Sequence, residues 1–130
     1  MHSFASNFIS RIYSKYMQII DKNNAPHYEW GDGCDNWVLT ETPVLSVKQE
    51  SMPAGSREKS HFHYHVQQFF YILKGVAVFY VGDKKHILKA HQGILIHPGA
   101  KHYIANEANE SLEFLIVSQP SVNTDRINLE

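Results

Sequence analysis

Cysteine is almost absent. The single thiol, Cys34, excludes an internal disulfide, so a reducing compartment, the cytoplasm, is the expected location. It stands in "WGDGCDNW" without a Cys-x-x-Cys partner and reads as a structural thiol. No apolar run is long enough to cross a bilayer. Neither sign of charge dominates: 12 Lys and Arg against 13 Asp and Glu leave −1, which offers nothing to nucleic acid or to an anionic membrane. Helical periodicity is also missing from Trp37 onward. What is present suits one soluble, globular domain: 130 residues, 43% of them hydrophobic and 19% charged, enough to close a core without cross-links.

The amino-terminal stretch "MHSFASNFISRIYSKY" differs from the rest. Phe4, Phe8, Ile12 and Tyr16 recur every four residues and predict a short amphipathic helix. Its Arg11, Lys15 and serines, without an acid, are a composition shared with transit peptides. A surface or dimer-contact helix is the plainer reading, and Met17 is a second place for the domain to begin.

Short strand-like runs follow, divided by turn residues: "WVLT", "VLSVKQES", "HFHYHV", "QFFYIL", "VAVFYV", "KHIL", "GILIH", "HYIA" and "LEFLIVS". Gly82-Asp83 between two of them predicts a hairpin. Eight or more short strands at this spacing indicate an all-β antiparallel sandwich or small barrel. The domain is expected over 27–120, with an extension at 1–26 and a tail at 121–130.

Seven of the nine histidines lie between 61 and 102. His61 and His63 share one face of a strand, roughly 6.6 Å apart along it, so both rings can approach one ion. Two ligands alone do not make a site, since the same pattern suits a half-exposed strand with its histidines in water. His65 shares their parity if the strand runs on without a bulge.

Two separated motifs extend the signal. Gly55, five residues, His61-Phe62-His63, four residues, Gln68, six residues and Gly75 form the first. Gly99, His102 and Asn106 form the second, in which His91 stands at a leading-glycine position and His97 at a proline position, with Pro98 beside it. Together they resemble the cupin family, over roughly Val44 to Val117, with Gln68 replacing a glutamate. The resemblance implies a cupin-like double-stranded β-helix, or jelly-roll barrel, that commonly forms a homodimer. It also implies a divalent transition metal (Zn, Fe, Ni, Mn or Cu) held by His61, His63, Gln68 and His102. The family includes isomerases, lyases, oxygenases and non-enzymatic binders.

Glutamine brings no negative charge. At 4 Å and an effective dielectric near 20, the lost charge interaction is on the order of 4 kcal/mol. Metal affinity should fall, and the ion's pull on an anionic oxygen should rise. Three readings follow: a metal whose charge is completed by a small anionic ligand, a metal-free small-molecule binding or sensing module, or an acid from elsewhere. Glu50 and Glu113 are the acids considered, and Gln67 is the alternative ligand if a bulge shifts the register. His65, Phe70, Tyr71 and Tyr103 are candidate pocket residues. His91 and His97 read as turn or strand-edge residues, and Asp125-Arg126 as a solvated pair. The preferred reading is a metal-binding protein that acts on, or binds, a small polar or anionic molecule, with a metal-dependent enzyme slightly favoured.

Overall fold

The computed structural model describes residues 18–121 and 125–130. The helix expected on Phe4, Phe8, Ile12 and Tyr16 lies outside the described residues. Among the described residues the regular structure is all strand, and no helix is long and apolar enough to cross a membrane. In chain order the strands are β1 (His27–Trp30), β2 (Cys34–Glu41), β3 (Ser46–Met52), β4 (His61–His63), β5 (Gln67–Lys74) and β6 (Val76–Val81). They continue with β7 (Lys84–Lys89), β8 (Gly93–Ile96), β9 (His102–Ala105), β10 (Leu112–Gln119) and β11 (Arg126–Asn128).

Two antiparallel sheets face each other. One has the order β1-β2-β3-β10-β5-β8 and the other β11-β4-β9-β6-β7. This is the jelly-roll arrangement expected. The Gly82-Asp83 hairpin is present, with Val81 opposite Lys84. Only Gly82 takes a positive φ, 60°, as a two-residue turn with glycine first requires.

Two strands, β1 and β11, were not foreseen. The segment expected as a tail contributes β11, which lies along β4 and pairs Arg126 with His63 and Asn128 with His61. "HFHYHV" is strand only to His63, because Tyr64 and His65 turn outward before β5 begins.

Alternation sets the interior. On β5, Gln68, Phe70 and Ile72 are buried; on β10, Leu112, Phe114, Ile116 and Ser118 are buried. Their register places Ser118 opposite Gln68, Ile116 opposite Phe70 and Phe114 opposite Ile72. Inward residues thus run from apolar at one end of the sheet to polar at the other. The apolar end is closed by Phe70 and Phe114 from one sheet meeting Phe79 from the other, at centroid distances from Phe70 of 6.0 and 4.9 Å. Burying each such ring is worth about 2–3 kcal/mol. The polar end is left as a cavity.

Candidate functional site

His61 and His63 point inward from β4 by strand parity. His102 begins β9 and pairs directly with His61. The loop before it docks on β4 through Gly99 N–H, which donates to the His63 carbonyl at 2.6 Å. Asn106, the last residue of the second motif, has a structural task. Its buried amide donates to the Met52 and Glu110 carbonyls at 2.9 and 2.8 Å, and its oxygen accepts from Ala108 N–H.

The three rings meet. Centroids lie 4.3 Å apart for His61–His102, 5.2 Å for His61–His63 and 6.2 Å for His63–His102. All three side chains are buried. His61 Nδ1 faces the Lys59 carbonyl and His102 Nδ1 the Ala100 carbonyl, each at 2.8 Å. A carbonyl only accepts, so each Nδ1 carries the hydrogen and each Nε2 keeps its lone pair. His102 Nε2, both nitrogens of His63 and Gln68 Oε1 are buried without a hydrogen-bond partner. Gln68 Nε2 donates to Ser118 Oγ at 3.1 Å, which turns its oxygen toward other work.

Electrostatics keep the rings neutral. Burial, then Arg126 and His102, push His61 down to about 3. Burial, then His102 and Arg126, push His63 down to about 4. Burial lowers His102 as well, with the Ala100 carbonyl opposing. Neutral imidazole is the metal-binding form.

An acid missed in the sequence joins them. Glu58 lies in the five-residue spacer before His61, where no periodicity marks its direction. One ligand atom each from Glu58, His61 and His102 lie within 4.8 Å of one another. Two donors at about 2.1 Å from a shared ion stand at most about 4.2 Å apart, so this trio lies near the spacing that one ion requires. Orphaned imidazole nitrogens, an orphaned amide oxygen and a carboxyl are donors that fit a divalent transition metal. Glu58 Oε1 also accepts from Ile104 N–H at 3.0 Å. Burial pushes its carboxyl up to about 8, with Arg126 opposing and Glu50 adding to the rise.

The acids considered from sequence divide. Glu50 is buried and lines the cavity, accepts from Asn36 Nδ2, and is pushed by burial up to about 7. Glu113 faces outward and pairs with Lys22 at 3.1 Å. Gln67 also faces outward and donates to Gln119 at 2.7 Å, so no register shift brings it in.

The cavity holds about 640 Å³ and is lined in part by His61, His63, Gln68, Phe70, Glu58 and Arg126. Of the other candidate pocket residues, Phe70 alone is in its wall. Tyr103 stacks on Tyr80 at 4.7 Å on the outer surface, beneath the Arg57 guanidinium. Tyr71 lies near Phe69 and His91 on the outer face of its sheet. His65 is exposed and borders a separate shallow depression with Val44 and Pro98. His91 and His97 are exposed. Arg126 is exposed and Asp125 half-buried, so both meet solvent, and each has a further contact: the Asp125 carboxylate accepts from His65 and Val66 N–H at 2.9 and 3.0 Å, and Arg126 borders the cavity.

Comparison with known proteins agrees with this architecture. The family model described as "Cupin domain" matches residues 48–118. A protein of Methanocaldococcus jannaschii, described as uncharacterized, is 32% identical over 75 residues, 58% of this chain. The match spans 60% of that relative's length. Among solved structures, a predicted oxalate decarboxylase of Thermotoga maritima superposes with a TM-score of 0.74 at 22% identity, covering 80% of this chain and 100% of that one. KdgF from Halomonas sp. gives 0.73 at 15%, covering 81% and 96%. Pac13, described as a nucleoside dehydratase, gives 0.72 at 20%, covering 87% and 91%, and a variant of Streptomyces Pac13 with uridine gives 0.72 at 19%, covering 87% and 90%. At these identities the structural likeness speaks for the fold alone. With more than half its length matched by the family model, and with the histidines of its two motifs brought together on adjacent strands of one sheet, the chain belongs to the cupin family.

Proposed function

We propose that the barrel binds one divalent transition-metal ion through His61, His63, His102 and Gln68, with Glu58 supplying the charge that Gln68 lacks, and that it binds or acts on a small polar or anionic molecule beside it. The observation that carries this is the set of buried, neutral imidazoles with unpartnered nitrogens. Leaving such atoms unpaired costs roughly 1–3 kcal/mol each, a cost a bound ion would offset.

A bound ion would act as a Lewis acid, polarising a carbonyl or holding an anionic oxygen. The chain's own residues do the rest. The Lys59 and Ala100 carbonyls orient the rings of His61 and His102. Ser118 orients Gln68. Glu58, raised to about 8 by burial, would give up its proton when an ion binds and so supply the negative charge. Phe70 and Ile116 give the ligand a dry floor. This arrangement favours a metal-dependent enzyme over a passive binder. The metal-free reading is supported by the cavity itself, whose size and mixed lining suit a small molecule without an ion.

Elemental analysis tests the proposal. Purified protein should carry close to one equivalent of transition metal, and His61→Ala and His102→Ala should each lose it. Gln68→Glu should retain metal more tightly against a chelator, by roughly tenfold or more on the charge argument. Metal retained in both alanine variants would place it on the surface and remove this centre. A metal-free protein that still binds small ligands would establish the second reading.

A further inference from the structure

We propose that Arg126, carried into the barrel mouth by β11, is the anchor for the small molecule bound beside the imidazoles, and that this molecule is a carboxylate. The inference deepens the proposed function and rests on its premise that the histidine cavity is the binding site.

The strand is short, but it is held at both ends. Asp125 accepts from the backbone of His65 and Val66 at its start. At its end, Leu129 N–H donates to the Ser60 carbonyl at 2.8 Å, and the Glu130 carboxylate accepts from Ser60 N–H and Arg57. Between them Arg126 sits opposite His63. A three-residue strand with one apolar side chain has little reason of its own to order there, yet its position fixes a guanidinium over the site.

That guanidinium is under-used. Its Nε donates to Asn128 Oδ1 at 2.8 Å, which orients the fork. The two terminal nitrogens have only long contacts: Nη2 is 3.5 Å from the Lys59 carbonyl and Nη1 is 3.9 Å from Glu58 Oε2. A charge-assisted bond of this kind is about 2.7–2.9 Å. Other cations lining the cavity are placed differently. Arg57 is given to Glu130 and to the Glu58 carbonyl, and lies over the Tyr103 ring. Lys48 donates to Tyr28 at 3.2 Å. Lys59 is exposed at the rim. Trp30 lines the same cavity, and its indole N–H is buried without an acceptor.

Two free N–H edges in one plane match the two oxygens of a carboxylate. Glu58 links the two halves of the site, since it faces Arg126 on one side and His61 and His102 on the other. A ligand anchored at Arg126 therefore has its next polar atom near the imidazoles, and Trp30 can donate to a further oxygen. Phosphate, with three peripheral oxygens and up to two charges, asks for more donors than one guanidinium supplies.

The test is calorimetric titration of the full chain with zinc added. The probes are glycolate, pyruvate, succinate and benzoate, the neutral amide of each, and inorganic phosphate. Metal content and melting temperature are measured on the same samples. At least one carboxylate should bind while its amide does not. Arg126→Gln should weaken that carboxylate at least tenfold, Arg126→Lys less, and Asn128→Ala, which frees the fork, about threefold to tenfold, all with metal content and melting temperature unchanged. Equal affinity in Arg126→Gln, no carboxylate bound by the unaltered chain, or phosphate bound more tightly than every carboxylate would each overturn the proposal. Absence of metal from the unaltered chain would show in the elemental analysis and count against the metal centre. The Arg126 effect is read separately, from the ratio of affinities.

Discussion

His61 and His102 are oriented by the same device, an Nδ1–H given to the carbonyl two residues earlier, and both rings are buried. With metal removed by a chelator, this sets an acid limit to stability. Free imidazoles titrate near 6.5, whereas His61 and His63 in the fold wait until about 3 and 4. The unfolded chain therefore takes up protons that the folded chain refuses, and stability is lost as pH falls from about 6.5 toward 4. Each group contributes a slope of about 1.4 kcal/mol per pH unit within its window. Glu50 and Glu58 act with the opposite sign. Their carboxyls are raised from 4.5 to about 7 and about 8, so their contribution is complete below 4.5 and is lost as pH rises through those values. The urea midpoint of the chelated protein should peak near pH 6 and decline on both sides. A midpoint that keeps rising to pH 9 would mean that these carboxyls are ionised in the fold.

At the scale of elements, the turns carry much of the motif. Gly75 joins β5 to β6 at φ 85°, and a Cβ there would lie 2.6 Å from the Ser111 carbonyl oxygen. Gly75→Ala should cost about 2 kcal/mol or more, read as a lower urea midpoint. His91 is the converse. It occupies the leading-glycine position of the second motif, and its backbone keeps the glycine-like φ of 68°. His91→Gly should therefore stabilise the fold, by up to about 1 kcal/mol; a loss of similar size would show that the imidazole compensates for the strain. These positions were legible because spacing in strands and turns is geometry. The two-residue period placed His61 and His63 on one face, and the motif spacing led to His102. Glu58 was hidden because a loop has no period. β1 and β11 were hidden because "HYEW" and "RIN" are exposed edge strands, ordered by their neighbours and without an alternating pattern of their own.

At the scale of the whole molecule, the fold was readable from strand count and turn placement, whereas the role of the carboxyl-terminal segment was not. Its sequence has little apolar weight, and its order comes from the backbone and side chains of residues 57–66. The homodimer expected from the family is kept as a proposal, to be checked by sedimentation of the full chain. The apolar-to-polar gradient between the sheets explains why the core and the cavity can share the same strands. Ile72 and Phe114 close one end, and Gln68 and Ser118 open the other.

The lining of that open end has a kinetic consequence. Four cations, Lys48, Arg57, Lys59 and Arg126, border it against the one further acid Asp32, while burial holds Glu50 and Glu58 toward their neutral forms. An arriving dication is repelled by this collar, and an arriving anion is drawn through it. Raising ionic strength shortens the Debye length and mutes both effects. Stopped-flow loading of zinc should accelerate with added salt while capture of a carboxylate slows, so one entrance would give two opposite salt slopes.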